Sequence, residues 1–178
     1  MAREFCKTWW GNAWLQALSH IDYSNRIPRG ARYARNGSVK SVVFEGNKIL
    51  AKVQGSRVKP YTVTMTVKKF SQAEINRLID GILANLSVVP QLLNMNLSPA
   101  VLDIAKEAKL EVFPTSWHDI DMYCSCPDWA VPCKHIAAVV YMVGLEIDNN
   151  PFLVFQLHGV DILKELSQRG IGVDEERT

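Results

Sequence analysis

Cys124, Cys126, Cys133 and His135 bring three of the chain's four cysteines and one of its four histidines into twelve consecutive positions. Three thiolates and an imidazole complete a tetrahedral shell for Zn²⁺, and a shell filled by protein leaves no position for a reactive water. The expected site is therefore structural, with one zinc per chain. In Cys124-x-Cys126 the alternation of an extended segment points both sulfurs the same way. Pro132 suits the first turn of a helix that presents Cys133 and His135 at its N-terminus, where backbone N–H groups and the helix dipole favour thiolate. A disulfide reading fares worse. Cysteines two apart are poorly placed to bond to each other, and pairing either with Cys133 leaves a free thiol. His135 is the preferred fourth ligand, and His118, six residues before Cys124, is its competitor.

The pattern C-x-C, a short spacer and C-x-H resembles the SWIM zinc finger. Further stretches are similar to bacterial SWIM zinc finger proteins: Thr8 to Trp14, Pro28-Arg29-Gly30 with Tyr33-Ala34-Arg35, Val53 to Arg57 with Pro60-Tyr61, Cys126 to Trp129, and Asn150-Pro151-Phe152. The resemblance implies a ββα zinc module. It also implies an association with helicase-like ATPases of the Swi/Snf type, beside which such proteins are often encoded, and it favours DNA over RNA as a ligand.

A chain of 178 residues that is 48% hydrophobic can bury a sizeable core. Its first residues, Met1 to Cys6, hold no apolar signal core, and the longest apolar run, from Ile136 to Leu145, is about half of the roughly twenty residues a membrane span needs. A cytoplasmic protein with reduced thiols is expected, with Cys6 as a small buried hydrophobe. The net charge of +2 conceals an uneven distribution. Residues 26 to 69 hold eleven Lys and Arg against the single acid Glu45, a local balance of +10. Such a lobe suits phosphate contact, and Arg29, Arg32, Arg35, Lys52, Arg57 and Lys59 are the candidate nucleic-acid-binding residues.

The fold class expected is α+β: an antiparallel β meander packed with helices, with the zinc module integrated into the core. The organisation expected is an α+β basic region over 1–110, the finger over 111–148, and C-terminal helices with a frayed tail over 149–178. Trp9, Trp10, Ala13, Trp14, Ala17 and Leu18 recur at helical spacing and predict a core helix over 8–20. Residues 22–37, rich in Gly, Pro and Asn, read as a loop carrying arginines. Strands are expected over 39–44, 49–54 and 61–69, with Gly46-Asn47 as the first turn. Pairing residue 44 with 49 and 42 with 51 puts Val42, Phe44, Ile49 and Ala51 on the core face and leaves the lysines outside. Ser71 to Glu74 reads as a capping box for a helix running to about Asn85 with Leu86 on its apolar stripe, and further helices follow Val88 and Ser98. Short strands are expected over 110–113 and 120–123. The helix after Pro132 is apolar nearly all round and so must be central. Asn150 and Asp161 read as caps of two short terminal helices.

No P-loop, H-E-x-x-H or nucleophile elbow occurs, and the acids Asp119, Asp121 and Asp128 beside the finger carry no further motif. No enzymatic activity is expected. The reading is a zinc-stabilised nucleic-acid-binding adaptor working with a Swi/Snf-type ATPase. The alternative is a protein-interaction module that docks such an ATPase without touching nucleic acid.

Overall fold

The computed structural model describes residues 5–18, 26–127 and 133–171. In chain order the helices are α1 (Trp9–Trp14), α2 (Arg26–Arg35), α3 (Gln72–Leu83), α4 (Val88–Leu93), α5 (Ala100–Glu107), α6 (Lys134–Asn149), α7 (Phe152–Leu157) and α8 (Ile162–Gln168). The strands are β1 (Val39–Glu45), β2 (Lys48–Val53), β3 (Tyr61–Thr66) and β4 (Asp121–Cys124), in one antiparallel sheet of order β1-β2-β3-β4. The class is α+β. No helix among the described residues is long and apolar enough to cross a membrane.

The chain divides into two compact units. One takes the residues up to Lys68 together with Phe113–Asn149, and the other takes Lys69–Val112 with the residues from Asn150 onward. The first holds the sheet and α6, so the basic meander and the finger belong to the same unit. The second is helical.

In the first unit the strand alternation sets the register. Phe44 faces Ile49 and Val42 faces Ala51 across β1 and β2, as the period-two pattern requires. Ile49, Ala51, Val53, Tyr61, Val63 and Met65 are buried on the inner face, while Lys48 and Lys52 lie exposed on the other. Helix α6 packs on the strands and against α1 and α2. It is buried on nearly every side, through Ile136, Ala137, Ala138, Val139, Val140, Val143 and Ile147.

Several local expectations are corrected. Residues 26–35 form α2 rather than a loop. Pro28 lies within the first turn, where its missing N–H has no partner to lose. Gly30 is required by proximity, since a Cβ there would lie 2.5 Å from the Cβ of Ala137. The α-helix predicted over 8–20 stops at Trp14 and continues as a 3-10 turn over Leu15–Leu18, and residues 19 and 20 lie outside the described part. Residues 110–113 form no strand. Leu110, Val112 and Phe113 are all buried, and the Val112 carbonyl accepts from His158 Nε2 at 2.8 Å instead of joining a ladder.

In the helical unit α3 starts with the predicted capping box. Ser71 Oγ accepts from the Glu74 N–H, and the Glu74 carboxylate accepts from the Ser71 N–H. The helix ends at Leu83, so Leu86 falls off its stripe and stands 72% exposed. Asn150 Oδ1 accepts from the Phe152 N–H, and Asp161 caps α8 through the Lys164 N–H. Of the frayed tail expected over Gln168 to Thr178, Gln168 closes α8 and residues 172–178 lie beyond the described part.

The N-terminal segment is tied down by a residue no motif singled out. Asp148, at the end of α6, accepts from the Lys7 N–H at 2.9 Å, from the Thr8 N–H at 2.7 Å and from the Thr8 hydroxyl. Thr8 is itself the N-cap of α1. Partial burial alone would raise the Asp148 pKa, but these donors overcome it and hold the carboxyl below its ordinary value. A depressed carboxyl contributes stability above its unfolded pKa of about 3.9 and loses it as pH falls through the lower folded value. Asp148→Ala is expected to cost about 1.5–3 kcal/mol at neutral pH, the range for hydrogen bonds to a charged group. Thermal melts of the two proteins should converge as pH drops below about 3.9. An equal gap at every pH would refute the role given to the carboxylate.

Candidate metal centre

β4 ends in Cys124, which pairs with buried Val63 and so turns its side chain to the inner face. The ladder continues one residue further: the Ser125 N–H donates to the Thr62 carbonyl at 3.0 Å, and the Thr62 N–H donates to Ser125 Oγ at 2.9 Å. That extension keeps the segment regular, so Cys126 falls on the same side as Cys124. Cys133 and His135 come from the start of α6, both buried. Pro132, with Asp128 and Trp129, lies outside the described residues.

The four ligand atoms lie within 4.8 Å of one another. His135 Nδ1 is 3.8 Å from both Cys124 Sγ and Cys133 Sγ. A tetrahedral ion with Zn–S of about 2.3 Å and Zn–N of about 2.0 Å places its ligands roughly 3.5–3.8 Å apart, so the two Nδ1–Sγ distances are those of a zinc shell. His118 is exposed, stacked on Trp117, and is not part of the group.

One sulfur of the cage already favours charge. Cys133 is pulled well below an ordinary thiol, first by the hydrogen bond from Cys124 and then, against burial, by those from His135 and the Ile136 N–H of α6. Cys124, the donor, is pushed up. The pair shares one proton, and a divalent cation would replace it. Cys6 stands apart from this chemistry, buried in the core with its thiol raised to about 12 by burial and by nearby Asp148.

His135 is enclosed from three elements. Tyr33 of α2 lies 5.7 Å from its ring and Tyr61 of β3 lies 4.7 Å away. Gly55, in the loop after β2, closes the third side, where a Cβ would meet the Tyr61 ring at 2.5 Å and His135 Nε2 at 3.1 Å. Nε2 is buried without a hydrogen-bond partner. Coordination through Nδ1 puts the neutral ring's proton on Nε2. Ring orientation is therefore held by aromatic packing rather than by the acceptor usual behind a metal-bound histidine.

Residues 119–144 match the family described as SWIM zinc finger. The chain carries a SWIM zinc finger. It is 32% identical over 153 residues to the "Uncharacterized protein Rv2102" of Mycobacterium tuberculosis, an alignment that covers 86% of this chain and 55% of that protein. The chain thus spans about half the length of the curated relative it matches. No solved structure matches it.

With the SWIM finger in place, two of the other stretches that carried the resemblance acquire roles. Gly30, Tyr33, Gly55 and Tyr61 all belong to them, and all pack around His135 or the helix that bears it. Sequence reading assigned them no part in the zinc site, although each stretch sets a glycine near an aromatic ring.

The six predicted nucleic-acid-binding residues are all exposed and all in the unit that holds the SWIM finger. Arg29, Arg32 and Arg35 lie on α2, Lys52 on the outer face of β2, and Arg57 and Lys59 in the loop that follows. Arg57 is more than a free cation. Its guanidinium lies 4.1 Å over the Tyr61 ring and its Nε donates to the Lys59 carbonyl at 2.9 Å.

Proposed function

We propose that this protein is a zinc-stabilised, non-catalytic adaptor that binds nucleic acid, DNA in preference to RNA, mainly through phosphates. The observation that carries the reading is the anchoring of the basic loop on the zinc ligand: Arg57 covers Tyr61, and Tyr61 packs on His135. On the other side Lys134 lies 5.9 Å from the Tyr33 ring centroid, and Tyr33 also packs on His135. A Cys₃His zinc site keeps about one negative charge, so cations beside it are favoured, and the metal in turn rigidifies the cationic surface. Four protein ligands leave no open coordination position, which supports a structural rather than a catalytic metal. A helicase-like Swi/Snf-type ATPase as partner is proposed from the family resemblance, and a cytoplasmic setting from the reduced thiols that zinc requires.

If about four to six cations meet phosphate, the logarithm of affinity should fall with the logarithm of salt at a slope of roughly −3 to −5. Arg57→Glu with Lys59→Glu should weaken binding to all sequences alike and flatten the slope by about one unit per lost contact. The cation–π contact with Tyr61 adds a stability cost of only about 0.5–1 kcal/mol at an exposed position, so zinc content should be retained. Anisotropy titrations across a salt series make the measurement. Binding that is undetectable at low salt, or indifferent to salt, would overturn the reading and favour a protein-docking module.

A further inference from the structure

The outer face of the sheet carries a row of four residues in direct register across all four strands. Val43 faces Leu50, Leu50 faces Thr64, and Thr64 faces Tyr123. Its two ends are open: Tyr123 is 59% exposed and Val43 is 49% exposed. An aromatic ring and an aliphatic group exposed on the outer face of the sheet are not explained by the core or by the zinc. Charge on this face is graded along the strands. The row Glu45, Lys48, Thr66 and Asp121 crosses one end and contains both acids, whereas Ser41, Lys52 and Thr62 cross the other end with a lysine and no acid. The Lys52 end leads directly into the loop of Arg57 and Lys59.

We propose that this face is a base-stacking platform for single-stranded nucleic acid, with Tyr123 as the stacking group and Lys52 directing the backbone toward the 54–60 loop. The proposal rests on the nucleic-acid reading above and narrows it to unpaired strand. Bases in a duplex are stacked on one another and cannot lie on a tyrosine, while unpaired bases present a π-face regardless of sequence. Open four-stranded antiparallel sheets hold two or three bases in this way. Three interstrand steps of about 4.8 Å make the row roughly 14 Å long, which leaves room for about two bases beside the ring. The alternation that turns Cys124 inward to the metal turns Tyr123 outward, so zinc binding positions the ring.

The test is anisotropy with a short labelled oligothymidylate and with a mixed-sequence duplex of equal length, at one salt concentration. Wild type should bind the single strand more tightly. Tyr123→Ala should weaken it about ten- to hundredfold while leaving duplex binding unchanged. Tyr123→Phe, which keeps the ring, should bind like wild type. Val43→Asp, on the edge strand remote from the finger, should also weaken single-strand binding and serves if Tyr123→Ala loses zinc. Full single-strand affinity in both Tyr123→Ala and Val43→Asp, or a wild-type preference for duplex, overturns the platform. If those variants are silent but Arg57→Glu with Lys59→Glu abolishes salt-dependent binding, the phosphate-binding reading survives without it. Failure of wild type to bind either form removes both.

Discussion

Cys133→Ser should abolish zinc binding and leave the sheet-and-finger unit molten or insoluble. Cys133 is buried at the head of α6 and accepts from the Ile136 N–H, so a serine in its place leaves a cage of two thiolates and an imidazole around a hydroxyl that binds zinc weakly. Structural zinc contributes on the order of 10 kcal/mol of apparent folding free energy in small fingers, comparable to the whole stability of a typical domain. Here the loss would reach further than a peripheral finger. Two of the four ligands sit at the start of the helix on which α1, α2 and all four strands pack, the other two at and just past the end of β4, and His135 is itself a packing partner of Tyr33 and Tyr61. Elemental analysis should find one zinc per wild-type chain and none in the variant, with loss of near-UV circular dichroism. Chelation of the wild type at raised temperature should reproduce the effect. A soluble, cooperatively folding wild type without zinc would contradict the assignment.

Trp14→Ala is expected to cost about 3–5 kcal/mol, the range for deleting a large buried aromatic side chain. Trp14 is 1% exposed, and its Nε1 donates to the Val140 carbonyl at 3.0 Å on α6. Removing the indole leaves a cavity beside the central helix and deprives that carbonyl of its extra donor. A fall in the unfolding midpoint on the order of 10 °C follows for a chain of this size. Zinc content should persist below the transition, because Trp14 meets α6 at Val140, more than a turn beyond His135. The salt slope of nucleic-acid binding should also persist, since a buried indole cannot stack on a base. Binding lost without any loss of stability would reverse the assignment of Trp14 to the core.

Features with short-range causes were legible before the fold was known. The ligand set lies within twelve positions, so its chemistry could be read from composition and spacing, and the structure brings the same four residues together. The register of β1 against β2 followed from period-two burial around a two-residue turn, and the Ser71 cap from a partner three residues away. Helix α2 was misread for an equally physical reason. Pro28 and Gly30 lower local helix propensity, and the compensating term comes from Ala137 on α6, more than a hundred residues along the chain.

The amino-acid sequence by itself determined the metal chemistry, the register of β1 against β2 and the position of most helices, because each depends on groups a few residues apart, whereas the pairing of β3 with β4 joins Val63 to Cys124 and came only with the tertiary structure. Tertiary structure alone decided that Tyr33, Gly55 and Tyr61 enclose His135, that Asp148 grips the entry to α1, and that the stretch between β3 and β4 contributes to a separate helical unit. Those contacts join residues far apart in the chain, and their value lies in shape. A missing Cβ at Gly30 or Gly55 has meaning only once the surface that fills the space is known, and the Asp148 carboxylate becomes an anchor only when packing brings the Lys7 and Thr8 N–H groups to it.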